Sequence, residues 1–230
     1  MYFSPVYTII TLATMGASRL ASMMLQKRFA EFSQVPLPVS GRDVAHQMLN
    51  EAGLTDVKVT AVRGQLTDHY NPANKTVNLS EVVFTQNNVA AAAVAAHECG
   101  HAIQHANAYP FLKFRSAIVP LVKISSSVNQ WILMAGLGMA AYGSTMILLV
   151  GILLFSVTTL FSVITLPVEF NASSRALQWM ESSGVTRGEN HSKAKKALFW
   201  AAMTYTVGAL ASIGQLFYFV SLYLRSQRRH

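Results

Sequence analysis

His97-Glu98-Cys99-Gly100-His101 is the segment of this 230-residue chain with the most chemistry in it. Two histidines four residues apart share one face of a helix, so both imidazoles can bind a single metal ion. Glu98, one residue on from the first histidine, then reaches a water in the open coordination position and can take its proton. Zinc suits two imidazoles with a carboxylate and brings the acidity of a bound water towards neutrality. The surrounding sequence supplies the helix this requires. An alanine-rich run begins at Val89 behind Asn87 or Asn88, either of which caps a helix, and Pro110 ends it. The bland alternative is a helix that carries polar residues on a solvated face.

A catalytic zinc needs a third protein ligand, and few residues qualify. His105 lies eight positions from His97, rotated by about 80° and some 12 Å further along the axis, so one continuous helix cannot bring it to the same ion. The metzincin pattern is absent too, because Gln104 and Asn107 stand where its glycine turn and third histidine would be. Glu169 stands out among the remaining acids. It follows Pro167 at the end of a long apolar stretch, and a proline there allows a fresh helix with Glu169 in its first turn. An acid in that place caps a helix N-terminus or, because desolvation there is costly without a partner, binds the metal. Cys99, two positions past His97, points around the helix towards packing and is expected to be inert.

The elements that must position these residues are set by an unusual composition. Hydrophobic residues make up 52% of the chain and charged ones only 12%, about half the usual share. The mean hydropathy is +0.33. This excludes disorder, a coiled coil and, with Cys99 as the one cysteine, a disulfide-stapled module. The excess of 18 Lys plus Arg over 10 Asp plus Glu does not point to nucleic acid, because the basic residues cluster beside apolar stretches. Residues 124–168 hold 45 consecutive positions without Asp, Glu, Lys, Arg or His. A single helix of that length would reach about 67 Å, twice the hydrocarbon thickness, so the stretch folds back, with the turn near Ala141–Thr145. Residues 197–224 form another span, and the N-terminal stretch reads as a short signal anchor.

The expected architecture is an α-helical integral membrane protein with about four transmembrane helices and a small α+β, zincin-like cytoplasmic insert carrying the H-E-x-x-H helix. Its parts are an anchor (1–26), the catalytic insert (27–117), a two-span hairpin (118–167), a polar segment with the third ligand (168–196), a last span (197–224) and a basic tail (225–230). Both polar segments flank the hairpin, so they share one side, and their basic residues place that side in the cytoplasm, or on the equivalent side of its own compartment. The arginines of the tail then fall on the opposite side, against that rule. Within the insert, Ser40 and Asp43 form a variant capping box for a helix over 40–53. Asp56–Val62 alternates as a strand, and shorter extended pieces at Leu66–Tyr70 and Thr76–Leu79 flank a turn at Asn71–Asn74. Asp68, His69 and Tyr70 are polar candidates beside the site, equally explained as a hydrogen-bonded turn.

The H-E-C-G-H-A-I-Q-H segment at 97–105 and Leu166-Pro167-Val168-Glu169-Phe170-Asn171-Ala172-Ser173 together closely resemble the YugP-type bacterial membrane zinc metallopeptidases. Gln65–Tyr70, Val77–Ser80 and Arg115–Ala117 are similar as well, so the likeness covers nearly the whole chain. This resemblance implies Zn2+ held by His97, His101 and Glu169, with Glu98 as general base, and a bacterial inner-membrane location. Because Glu169 stands one residue past the apolar stretch, the zinc is expected at the membrane surface, with membrane or membrane-proximal proteins as substrates at the lipid bilayer. More distantly, Glu169…Ala172 is similar to the E-x-x-A-D signature of HtpX-type proteases, with Ser173 in place of the aspartate that would hold a ligand histidine there. The rival classes are a membrane metal-binding or transport protein and an inactive relative that binds clients. Transport is disfavoured because its ionisable ligands belong inside the spans. Oligomeric state is not encoded legibly.

Overall fold

The computed structural model describes residues 5–140 and 145–227. Its elements are α1 (Pro5–Phe32), α2 (Gly41–Glu51), β1 (Lys58–Val62), β2 (His69–Asn71), β3 (Thr76–Ser80), α3 (Glu81–Thr85), α4 (Val89–Ala106), α5 (Pro110–Ala140), α6 (Met146–Ser182) and α7 (Gly188–Gln227). Among the described residues, α1, α5, α6 and α7 are long and apolar enough to cross a membrane. The expected turn at Ala141–Thr145 lies almost wholly outside the described residues.

The chain divides into two compact units. One comprises Leu20–Lys113 and Pro167–Thr204. Its small sheet has the order β1-β3-β2, with β1 parallel to β3 and β2 antiparallel to it. The central strand β3 is buried along its whole length. Asp68 ends the approach to β2 by accepting from the backbone N–H of Ser80 at 2.7 Å. Helix α2 starts at a capping box: Ser40 Oγ accepts from the Asp43 N–H at 3.1 Å, and Asp43 Oδ2 accepts from the Ser40 N–H at 3.3 Å. It buries Val44, Ala45, Met48 and Leu49, and Gly53 closes its end with a φ of +72°. The same face packs along α4, whose first turn is capped by Asn88 Oδ1 accepting from the Ala91 N–H at 2.8 Å. The alanines of α4 are almost completely buried, so this helix lies close to its neighbours on several sides.

The other unit comprises Met1–Arg19, Phe114–Leu166 and Tyr205–His230. Gly136 of α5 meets the backbone of Leu148 on α6: an added Cβ would stand 2.6 Å from the Leu148 Cα. Leu133, Leu148, Ile152 and Phe219 form its buried cluster. Large apolar side chains point outward, among them Trp131 and Phe217, which are 72% and 71% exposed.

One expectation needs correction. Pro167 does not open a new helix; it lies inside α6, which runs unbroken from Met146 to Ser182. In a long apolar helix, side chains and local backbone adjustment satisfy the groups a proline frees. The group that Pro167 frees is the carbonyl one turn earlier, at Val163; the carbonyl of Pro167 itself accepts from the Tyr109 hydroxyl at 3.4 Å. Helix α7 begins at Gly188, ahead of the apolar run of 197–224, and its first turns carry the Glu189–Lys193 ion pair at 2.9 Å.

Candidate metal centre

Helix α4 places His97 and His101 one turn apart, and α6 brings Glu169 to them. His97 Nε2 lies 3.2 Å and His101 Nε2 lies 3.6 Å from Glu169 Oε2. One ligand atom from each residue falls within 4.8 Å of the others. All three side chains are largely withdrawn from solvent, Glu169 most of all at 4% exposed. The two imidazoles meet edge to face, with centroids 4.8 Å apart. Burial alone would lower the pKa of His101, but its hydrogen bond to Glu169 and the nearby charges of Glu98 and Glu169 outweigh that and raise it. An excess of negative charge held against two imidazoles is an environment a divalent cation completes.

The donor set fits zinc in its chemistry as well as its spacing. Arg175 Nε donates to Asn171 Oδ1 at 2.9 Å, which fixes that atom as an acceptor. Gln104 Nε2 donates to the same oxygen at 3.0 Å and to the Val168 carbonyl at 2.7 Å. The Gln104 Oε1 therefore faces His101 Nδ1, at 3.0 Å, and accepts its proton. That leaves the His101 Nε2 lone pair directed at the cluster. Ser173 Oγ stands 3.2 Å from His97 Nδ1 and can accept in the same sense. Fixing a histidine's far nitrogen in this way sets both tautomer and ring orientation of a metal ligand.

Gly100 explains how α6 comes so near. An added Cβ at this position would lie 2.7 Å from the Ala172 carbonyl oxygen and 3.1 Å from its Cα. Ala172 and Ala176 are fully buried. Glycine facing alanine lets the two backbones approach as no larger pair would, and Glu169 sits one turn before Ala172 on that side.

Glu98 is buried, at 8% exposed, and is not one of the three clustered groups. Among the described residues no side chain donates a hydrogen bond to its carboxylate. Cys99 turns its Sγ towards the Ala45 carbonyl of α2, at 3.7 Å, and burial pushes its thiol pKa far up. It adds no sulfur ligand to the cluster. His105 stays outside the cluster as well, with Nδ1 at 2.9 Å from the Tyr70 hydroxyl of β2. His69 pairs with the Thr67 carbonyl through Nδ1 at 2.8 Å. Sequence reasoning missed Gly100 and Gln104. Gln104 lies three residues past His101, hence on its face, which is the signal that would have found it; Gly100 gave no signal without knowledge of its partner helix.

A buried His-His-Glu cluster that could hold a metal ion, in a chain with four helices long and apolar enough to cross a membrane among the described residues, agrees with the family comparison. Residues 7–224 match the family model described as "Putative neutral zinc metallopeptidase". The chain belongs to that family. It is 39% identical over 223 residues, 96% of this chain and 98% of the relative, to the "Putative membrane protease YugP" of Bacillus subtilis (strain 168). No solved structure matches it.

Proposed function

We propose that the protein is a membrane-embedded zinc endopeptidase that cuts membrane or membrane-proximal proteins. The observation that carries this reading is the buried cluster of His97, His101 and Glu169, with both histidines turned Nε2-first by Gln104 and Ser173. These three side chains would hold the zinc. When bound, the metal would supply a Lewis acid to polarise a peptide carbonyl and acidify a water. Glu98 is the general base: its carboxylate takes a proton from the attacking water and delivers it to the leaving amine. Its burial beside the cluster, with no hydrogen bond to satisfy it, keeps that carboxylate available. The α+β unit that carries α4 is read as a zincin-like insert on the cytoplasmic side of a bacterial inner membrane.

Substrate class follows from placement along the chain. Glu169 is the first charged residue after the 45 uncharged positions of 124–168, so a metal bound to it stays near the headgroups. Chains cut there are membrane proteins near their juxtamembrane segments or polypeptides lying on the surface. Cysteines introduced at Ser33 and Ser192 are expected to label from the same side.

The test compares Glu98→Gln with Glu169→Ala, scored by metal content per chain and cleavage rate in detergent. Glu98→Gln keeps shape and ligands but cannot accept a proton, so zinc stays bound while proteolysis falls by ~10²–10⁴. Glu169→Ala loses a charged ligand and with it zinc retention. Full activity in Glu98→Gln sinks the mechanism. A zinc-loaded wild type that cleaves nothing sinks the peptidase assignment and leaves an inactive client-binding relative.

A further inference from the structure

The apolar segments of this chain contain very few carboxamides. Residues 1–18, 124–168 and 197–224 hold Asn or Gln at Asn129, Gln130 and Gln215 alone. Two come from α5 and the third from α7, 85 positions beyond Gln130 in the chain. All three line one cavity of about 590 Å3 in the unit that contains Phe114–Leu166 and Tyr205–His230. Leu133, Phe155 and Phe219 supply apolar wall beside them. Polar residues of a membrane segment gather where the bundle interior or a cavity offers them a partner. Had these amides served only to hold α5 and α7 together, they would be hydrogen-bonded across the pair. No hydrogen bond joins them. Asn129 is 8% exposed, and its Oδ1 has no hydrogen-bond partner; neither has the Oγ of Ser125, one turn earlier on the same helix. An orphaned buried acceptor is costly in protein, and hydrocarbon provides no water to relieve it.

We propose that this cavity receives a polar side chain, with the turn of helix bearing it, from a transmembrane segment of another polypeptide. The chemistry selects the occupant. Carboxamides offer donors and acceptors together, so their complement is another amide or a hydroxyl, whereas an acyl chain offers neither. No Asp, Glu, Lys, Arg or His lines the cavity, which leaves an ionised headgroup without a counter-charge. A volume of about 590 Å3 holds a few side chains and not a whole span, so the contact is a single polar knob entering between helices. The proposal rests on the peptidase reading in one respect: the segment it captures is taken to be that of a substrate.

The test uses the full chain in bilayers of phosphatidylcholine and phosphatidylglycerol with two single-span Leu/Ala peptides. One carries a central Asn and the other Leu at the same place. With benzoylphenylalanine at Met134, which lines the cavity, the Asn peptide is expected to cross-link about three- to twentyfold more than its Leu twin, the range set by one interhelical hydrogen bond in a membrane. Gln215→Leu and Asn129→Leu should each bring that ratio close to one. If Asn129→Leu does not insert, Gln215→Leu decides alone. Equal cross-linking of the two peptides, products with lipid alone, or an Asn preference that persists in Gln215→Leu overturns the proposal. Cleavage of a single-span protein with an unstructured juxtamembrane segment, and no polar residue in its span, is measured separately with the wild type in the same bilayers. Its absence defeats the peptidase reading, while the peptide ratio still reads the cavity.

Discussion

The two units bury their side chains by opposite rules. In the unit with the His-His-Glu cluster, α2, α4 and α6 enclose a core rich in alanines, and backbones approach until Gly100 faces the Ala172 carbonyl. The other unit buries only a small cluster around Leu133, Leu148, Ile152 and Phe219, while Trp131, Met146, Leu153 and Phe217 face out. In water such outward apolar area would cost about 25 cal/mol per Å2. Lipid removes that cost, so the second unit needs few large buried side chains, and its helices associate through close packing at glycines such as Gly136 and Gly151. Close approach serves stability in one unit and geometry in the other, where a displacement of α6 moves a candidate ligand.

The sharpest break in this comparison comes from one substitution made twice. Leu153→Lys, at a position 58% exposed in the apolar unit, should oppose membrane insertion by about 2.5–3.5 kcal/mol, read as the inserted fraction in a translocation assay. Leu66→Lys, 62% exposed in the other unit, should change stability by less than ~0.5 kcal/mol in a denaturant titration. Equal effects would show that both surfaces meet the same solvent.

A second pair adds one methyl to each unit. Gly100→Ala presses a Cβ onto the Ala172 carbonyl and should cost about 1–3 kcal/mol, with zinc retention falling as α6 is pushed off α4. Gly208→Ala meets nothing within 4 Å and should be neutral or stabilising, by up to ~1 kcal/mol from helix propensity. Thermal midpoints and metal content of the two variants separate these outcomes. Gln104→Leu then probes orientation without bulk. It strips the acceptor from His101 Nδ1 and the donors to Val168 and Asn171, so zinc affinity should fall about 10–100-fold, measured by competition with a chelator.

A smaller loss than at Gly100 is expected at the cap of α2. Ser40→Ala should destabilise by about 1 kcal/mol. Its hydrogen bond with Ser40 holds the Asp43 carboxyl below the usual 3.8, although the group is mostly solvated. A depressed carboxylate contributes stability above its unfolded pKa and loses it as pH falls through the folded one. The gap between wild type and variant, followed by urea melts, should therefore narrow below about pH 4.

Much of the candidate site could be read before any coordinates. Local rules carried that part: the i, i+4 face of His97 and His101, the Asn88 cap and the capping box at Ser40 each need only a few neighbouring residues. What escaped depended on partners distant in the chain. Pro167 reads as a helix start by propensity, yet α6 already runs from Met146 and continues through it to Ser182. Gly100 reads as a weakness in a helix until Ala172 is placed against it. Ser173 raised doubt as a replacement for an acid, but its hydroxyl reaches His97 Nδ1 all the same.

Cys99 has a practical consequence for anyone handling the protein. Its sulfur is enclosed against α2, and its thiol pKa is pushed far up, so almost no thiolate forms near neutral pH. Alkylating reagents and mild oxidants act on thiolate and will pass it by. Being the sole cysteine in the chain, it leaves the native protein silent to maleimide chemistry. Fluorophores or spin labels can be attached at one chosen site at a time without first engineering the native thiol away from between two candidate metal ligands.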